Sequence, residues 1–370
     1  MSWQLGPFFK RNDVNPVMEP RFDARWECPL GGELAWEAKD VFNPGAVVRD
    51  GRVNLLYRAE DEVGKHLGTS RIGLAVSSDG LFFERGSSPV LFPADDIRRH
   101  HEWEGGCEDP RVVTAPDGSY VMMYTAYDGV KARLSVATSS DLVSWEKQGL
   151  AFPEMPEVWS KSGSIVCEVV GDQMVAVEIG GKYWMYWGES SVYAATSIDL
   201  IRWSPVVSNS VPTSDPEGWE LAAAPRVLSS WLSADVGDAF PESEALLACL
   251  RPRSGRFDSD IVEPGPPAVL TSDGIVLLYH GRNWGFGGDS RYSARTYCVG
   301  QALFDPLDPV ALLARCTEPF LVPDQEYEMS GQVANVCFAE GLVPFEGQWW
   351  LYYGTADSKI AVATAPMAGG

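Results

Sequence analysis

The chain has 370 residues, 45% hydrophobic and 22% charged, a composition that supports a large buried core rather than disorder. A formal net charge of -22 sets a negative field that repels phosphate backbones and anionic lipid surfaces, so neither nucleic acid nor membrane is an expected partner. The seven cysteines (28, 107, 167, 249, 298, 316, 337) lack C-x-x-C spacing, and the four histidines lie at no ligand spacing to them. No metal or cofactor is therefore expected, and the cysteines read as buried thiols of a reducing compartment. The opening MSWQLGPFFKRNDVNP has no apolar leader, so the expected location is cytoplasmic.

After an N-terminal extension of about residues 1–40, one pattern recurs along the chain. Its first copy is FNPGAVVRDGRVNLLYRAED, a loop, then SRIGLAVSSDGLFFE. EDPRVVTAPDGSYVMMYTAYD followed by ARLSVATSSDLVSW is the second copy. MVAVEIGGKYWMYWGES with VYAATSIDLIRW makes the third, and PPAVLTSDGIVLLYHGRN with RTYCVGQALFDP the fourth. EGLVPFEGQWWLYYGTAD with IAVATA is the fifth.

Each copy has an apolar strand, a tight turn rich in Asp and Gly, and a second strand ending in Tyr. A loop and a third strand follow. Asp-Gly and Gly-Gly supply the positive φ of hairpin turns, and period-two alternation, as in Val121-Met122-Met123-Tyr124, marks strands packed face to face. In the first three copies an aromatic residue follows the Asp of the third strand by three or four positions, which suits a short outer fourth strand. Five sheet units in tandem predict a single all-β domain, a five-bladed β-propeller, with an all-β sandwich as the alternative. The stretch 208–249 reads as an insertion carrying a short helix. Together with loop 85–104 it is expected to shape the outer part of the site.

Aligned copies place polar residues at equivalent strand ends. Asn43, Asp109 and Glu263 stand at the first strands; Arg58, Glu189, His280 and Asp357 follow the Tyr-terminated second strands. Carboxylates converging from different blades, with tryptophans nearby, fit a carbohydrate site, since aromatic faces stack on sugars and carboxylates bind hydroxyls. Paired carboxylates are also what cleavage of a glycosidic bond requires. A glycan-binding propeller without catalysis is the rival from another class. Cys107, beside Glu108 and Asp109, reads as a buried filler rather than a nucleophile.

FNPGAV, LLYRAED, GGCEDPRVV, MYWGE, FDSDIVEPGPPA and LYYGTADS, taken in this order, resemble glycoside hydrolase family 130, from about Asn43 to Ala365. The resemblance implies a five-bladed propeller acting on mannosides. It implies that Asp109 is the general acid, donating its proton through a mannose hydroxyl, and that Asn43, Arg58 and Asp357 hold the mannose. Glu189 and Glu263 look like the glutamates that stand in the hydrolase branch where phosphorylases bind phosphate. The expectation is an inverting exo-β-mannosidase on β-1,2-linked mannosides, with Asp109 as acid and Glu189 and Glu263 as base and water-positioning groups. The alternative is a mannoside phosphorylase. His280 resembles the phosphorylase version of its loop, and Lys161 and Arg133 are cations within reach of an anion. Arg111, Lys161 and His280 complete the expected substrate contacts. The partner is a mannose-containing oligosaccharide, and nothing in the sequence sets an oligomeric state.

Overall fold

The structure, a computed structural model, describes residues 3–63, 68–208 and 245–367. These residues are nearly all β, with helix confined to Arg99–Glu102 and Glu326–Met329. None of the described helices is long and apolar enough to cross a membrane.

Each repeated stretch folds into an antiparallel meander. The first is Asp40–Arg49, Arg52–Glu60, Ser70–Ser77 and Glu84–Arg85. The second is Gly106–Thr114, Tyr120–Tyr127, Ala132–Ser139 and Glu146–Leu150. Ser164–Val170, Lys182–Trp187, Val192–Ser197 and Ser204–Pro205 follow. The fourth splits its inner edge into Ile261–Pro264 and Ala268–Thr271, both paired to Gly274–Arg282, then Tyr297–Phe304 and Leu312–Arg315. The last is Cys337–Phe345, Gln348–Thr355 and Lys359–Pro366. Its outer strand comes from the far end of the chain: Phe9 pairs with Thr364 and Lys10 with Ala363. Part of the expected N-terminal extension thus completes the final sheet. The expected insertion at 208–249 falls largely outside the described residues; at its edges Val207–Ser208 pairs with Ala245–Leu246.

Local chemistry accounts for the repeats. Asp50-Gly51 and Glu346-Gly347 have φ of 52°, 67°, 50° and 73°, the paired positive values of a type I′ hairpin turn. The Ser-x-Asp sequence after each of the first three third strands forms one recurring turn. Ser77 Oγ accepts from the amides of Asp79 and Gly80, while Asp79 Oδ1 accepts from those of Leu81 and Phe82. Ser139 with Asp141, and Ser197 with Asp199, repeat the arrangement. The indoles of Trp145 and Trp203 then donate to the carbonyls of Leu142 and Leu200, which starts the outer strand.

The tyrosine that ends the second strand also has a repeated task. Tyr57, Tyr124, Tyr279 and Tyr353 donate to buried carboxylates of Glu37, Glu102, Asp258 and Glu328. Each carboxylate meets a cation: Arg21 and Arg85, Lys147, Arg253 and Arg315, and Lys10. These satisfied buried networks pin incoming loops to outer strands. Tyr186 differs and donates to the carbonyl of Pro309. All seven cysteines are buried and unpaired.

Inner strands of successive meanders approach closely around a centre. A Cβ on Gly45 would lie 2.5 Å from the Pro110 carbonyl oxygen, and one on Gly341 would lie 2.7 Å from that of Pro44. Only glycine permits that backbone approach. Parallel pairings of Val166 with Ala268, and of Val175 with Thr114, continue the circuit.

Candidate active site

Strand alternation breaks at the same place in three inner strands. Register slips between Phe42 and Pro44, between Glu108 and Arg111, and between Ala339 and Gly341. Asn43 and Asp109 sit in these bulges with φ of 47° and 49°. A bulge re-aims a side chain, and left-handed non-glycine residues cost about 1–3 kcal/mol that a functional site commonly stores. The two side chains meet: Asn43 Nδ2 donates to Asp109 Oδ1 at 2.9 Å.

Arg58 organises the acidic side of the pocket. Its Nη1 donates to Asp109 Oδ1 at 3.0 Å, and its Nη2 to Glu60 at 2.7 Å and Glu108 at 3.0 Å. Its Nε donates to Ser70 Oγ at 2.9 Å. Lys161 Nζ lies 3.6 Å from the other oxygen of Asp109. Burial alone would raise the Asp109 carboxyl, but Arg58, Lys161 and Asn43 hold it well below the usual range. Glu108 is pushed up by burial and by the neighbouring Asp109 charge. Asp357 is raised to about 7 by burial, with Arg58 opposing and Asp109 adding to the rise. Glu60, Glu108 and Asp109 thus pair with one guanidinium whose charge also acts on Asp357, and protons reside on Glu108 and Asp357 more readily than on Asp109.

Across from them lie the two glutamates. Glu263 is 2% exposed and accepts a hydrogen bond from Ser162 Oγ. Burial and the nearby Glu189 raise it to about 7 against the pull of Lys161. The half-buried Glu189 follows strand Lys182–Trp187 and accepts from the indole Nε1 of Trp159 at 2.7 Å. Burial would lower the Lys161 ammonium, yet Glu189, Glu263, Asp109 and Glu108 together hold it well above its usual value. One cation therefore stands among the candidate acid and both candidate bases. The Tyr297 hydroxyl, raised by burial, feels the charges of both Glu263 and Glu189 and accepts from Arg282.

Asn43, Arg58, Asp109, Lys161, Glu189, Glu263 and Asp357 are thus brought together. Arg111 and His280 are buried beside this group, the Arg111 charge acting on both Asp109 and Glu263. The Arg111 side chain is 1% exposed and its guanidinium donates to the carbonyls of Gly265, Pro264 and Asp109. His280 is fully buried, hydrogen-bonds through Nε2 with the Ala339 carbonyl and stacks on Phe338. Desolvation and Arg111 hold it neutral. Arg133 is occupied by Asp128 and the Pro156 carbonyl, and the buried Cys107 thiol is pushed up by desolvation, away from a thiolate. The motifs did not single out Glu60, Ser162, Trp159, Tyr297 or Glu340. Glu340 had a signal, since CFAEGLV puts it where EDPR puts Asp109 and VEPG puts Glu263.

A family model described as beta-1,4-mannooligosaccharide phosphorylase, that of glycoside hydrolase family 130, matches residues 8–226 and 235–368. The chain belongs to glycoside hydrolase family 130. Within family 130 it is similar to the 1,2-beta-oligomannan phosphorylase of Thermoanaerobacter sp. (strain X514), 30% identical with 97% of each chain covered. A solved structure of a putative glycosidase from Bacteroides thetaiotaomicron VPI-5482 is 44% identical over 100% of this chain and 99% of that one, with a TM-score of 0.87. Another, 41% identical with a TM-score of 0.86, covers 100% of this chain and 98% of its own. It is reported with the statement that this family of mannoside phosphorylases contains glycoside hydrolases that target beta-1,2 mannosidic linkages in Candida mannan.

Proposed function

We propose that this family 130 member is an inverting, exo-acting β-mannosidase that hydrolyses β-1,2-linked mannosides. The observation that carries the reading is the setting of Lys161, enclosed by Glu189, Glu263, Asp109 and Glu108. A phosphate nucleophile needs uncommitted cationic donors. Here Arg58 already makes four hydrogen bonds, three of them to carboxylates, His280 is neutral, and Lys161 is outnumbered by carboxylates. Water needs a carboxylate base instead, and Glu263, raised to about 7, is matched to that task near neutral pH.

In this reading the repeated meanders are the blades of a five-bladed β-propeller, and the mannose binds at the mouth of its channel. Asn43, Arg58 and Asp357 hold the sugar. A mannose hydroxyl entering between Asp109 and its cations weakens what keeps that carboxyl ionised, so Asp109 gains the proton it passes to the glycosidic oxygen. Glu263 takes a proton from a water aimed by Glu189, and that water attacks the anomeric carbon from the opposite face.

The second reading is a mannoside phosphorylase, and relatives of assigned activity favour it: beside the oligomannan enzyme, two beta-1,2-mannobiose phosphorylases are 29% and 27% identical. On names alone that reading stands ahead; the lining of the pocket favours water. Incubating the enzyme with β-1,2-mannobiose, with and without phosphate, separates them. Mannose released equally in both reactions is the expected result. Turnover only with phosphate, yielding mannose 1-phosphate, selects the second reading.

A further inference from the structure

Beneath the pocket lies a buried ion pair that the mechanism above does not use. Arg111 Nη2 stands 3.0 Å from Glu340 Oε1, with the side chains 1% and 0% exposed. Neither Glu340 oxygen makes a hydrogen bond, and its carboxyl is raised by burial against the pull of Arg111. A carboxyl this deeply buried, with one ion-pair partner and no hydrogen bond, is costly and calls for a reason. The other groups whose charges reach it are Asp109, Glu263 and Lys161, while His280 packs alongside through the Ala339 carbonyl.

The guanidinium reaches three inner strands at once. Nη1 holds the main-chain oxygen of Asp109 at 3.2 Å, Nη2 that of Pro264 at 2.9 Å, and Nε that of Gly265 at 2.7 Å. Asp109 carries the proposed acid, and Pro264 directly follows the proposed base. Glu340 occupies the matching bulge of the last meander and supplies the counter-charge. Glu340 supplies a side-chain contact beside these three carbonyls, so the four together set where the fork sits.

We infer that Arg111 and Glu340 are positioning residues that fix the separation between the acid-bearing strand and the base-bearing strand. The inference rests on the acid and base assignments of the preceding section but not on whether water or phosphate attacks. Separation is a sensitive quantity: inverting cleavage needs room for one attacking molecule between the sugar and the base, and a misplacement of about 1 Å costs about 100-fold in rate. The pair does not touch the sugar, so its loss reads out in kcat rather than in KM.

The test uses Glu340→Gln, Arg111→Lys and the double change Arg111→Met with Glu340→Met. The double change removes both buried charges together, so it separates the loss of positioning from the cost of one uncompensated charge. Wild type is first assayed on β-1,2-mannobiose with and without phosphate, and all variants are then compared under whichever condition supports turnover. We expect folded proteins with lowered melting temperatures, since Glu340→Gln leaves the Arg111 charge buried without its counter-charge and the double change frees three backbone carbonyls. KM should stay within about threefold, with kcat reduced about 100-fold. A shifted pH profile in Glu340→Gln is expected as well. If the double variant does not fold, Glu340→Gln and Arg111→Lys decide. Wild-type kcat and pH profile in the folded variants would overturn the inference, while phosphate dependence of wild type would overturn only the hydrolase reading.

Discussion

Lys161→Met removes a cation shared by the proposed acid and bases. Its Nζ stands 3.6 Å from Asp109, and its charge acts on Glu189 and Glu263. At that distance two unit charges attract by about 1 kcal/mol in a water-like medium and about 5 kcal/mol at an effective dielectric of ~20. One pK unit corresponds to about 1.4 kcal/mol, so Asp109 should rise by about one to three units. Glu263 should rise too, because Lys161 opposes its burial more than Arg111 or Ser162 does. Acid and base both titrate later, so the pH optimum of kcat/KM moves to the alkaline side by about one unit or more. The assay is initial-rate hydrolysis of β-1,2-mannobiose across pH, with a melting curve for each sample. A folded variant whose pH profile does not move would refute this electrostatic account. A raised KM for phosphate with an unmoved profile would point to Lys161 as a phosphate ligand instead.

Asp109→Asn should abolish hydrolysis of mannobiose and regain part of its rate on an aryl mannoside whose leaving group needs no proton. Glu263→Gln should fail on both substrates; equal recovery by the two variants would contradict the assigned roles. Stability carries a second signature. Glu263 and Asp357 are both raised to about 7, so the folded protein keeps protons that the unfolded chain releases from about pH 4 upward. Their contribution is therefore greatest at the acid end of that window and is lost as pH rises toward 7. Asp109, held low, has the opposite sign: its contribution is present throughout this window and is lost only as pH falls below it. Melting temperatures across this range should fall less steeply in Glu263→Gln than in wild type, and parallel slopes would contradict the assignment. Gly45→Ala would place a Cβ 2.5 Å from the Pro110 carbonyl. It should destabilise by about 2 kcal/mol in denaturant unfolding and reduce activity by displacing Asp109, and an unchanged midpoint would contradict the close approach.

Much of the fold was legible because its signals are local. Asp-Gly turns, Ser-x-Asp turns and Tyr-terminated strands each act within a few residues, so copies could be aligned by eye. That alignment brought out Asn43, Asp109 and Glu263 as equivalent positions. The pairing of Phe9–Lys10 with Lys359–Pro366 left no trace of that kind, since two residues at one end of the chain pair with a strand at the other. The direction of Arg111 was hidden for a different reason. Counting by twos along Gly106–Thr114 fails at the slip between Glu108 and Arg111, so it does not show that Arg111 turns its guanidinium to the carbonyls of Gly265 and Pro264. Glu340 escaped notice at a like slip, between Ala339 and Gly341. Trp159 and Tyr297 reach Glu189 and Glu263 from loops or strand ends with no motif of their own.

The central claim is that the group attacking the anomeric carbon is water activated by a glutamate. Turnover of β-1,2-mannobiose in oxygen-18 water with phosphate present tests it most directly. The account predicts mannose labelled at C1 and released first as the α-anomer. Unlabelled mannose 1-phosphate as the main product would contradict it.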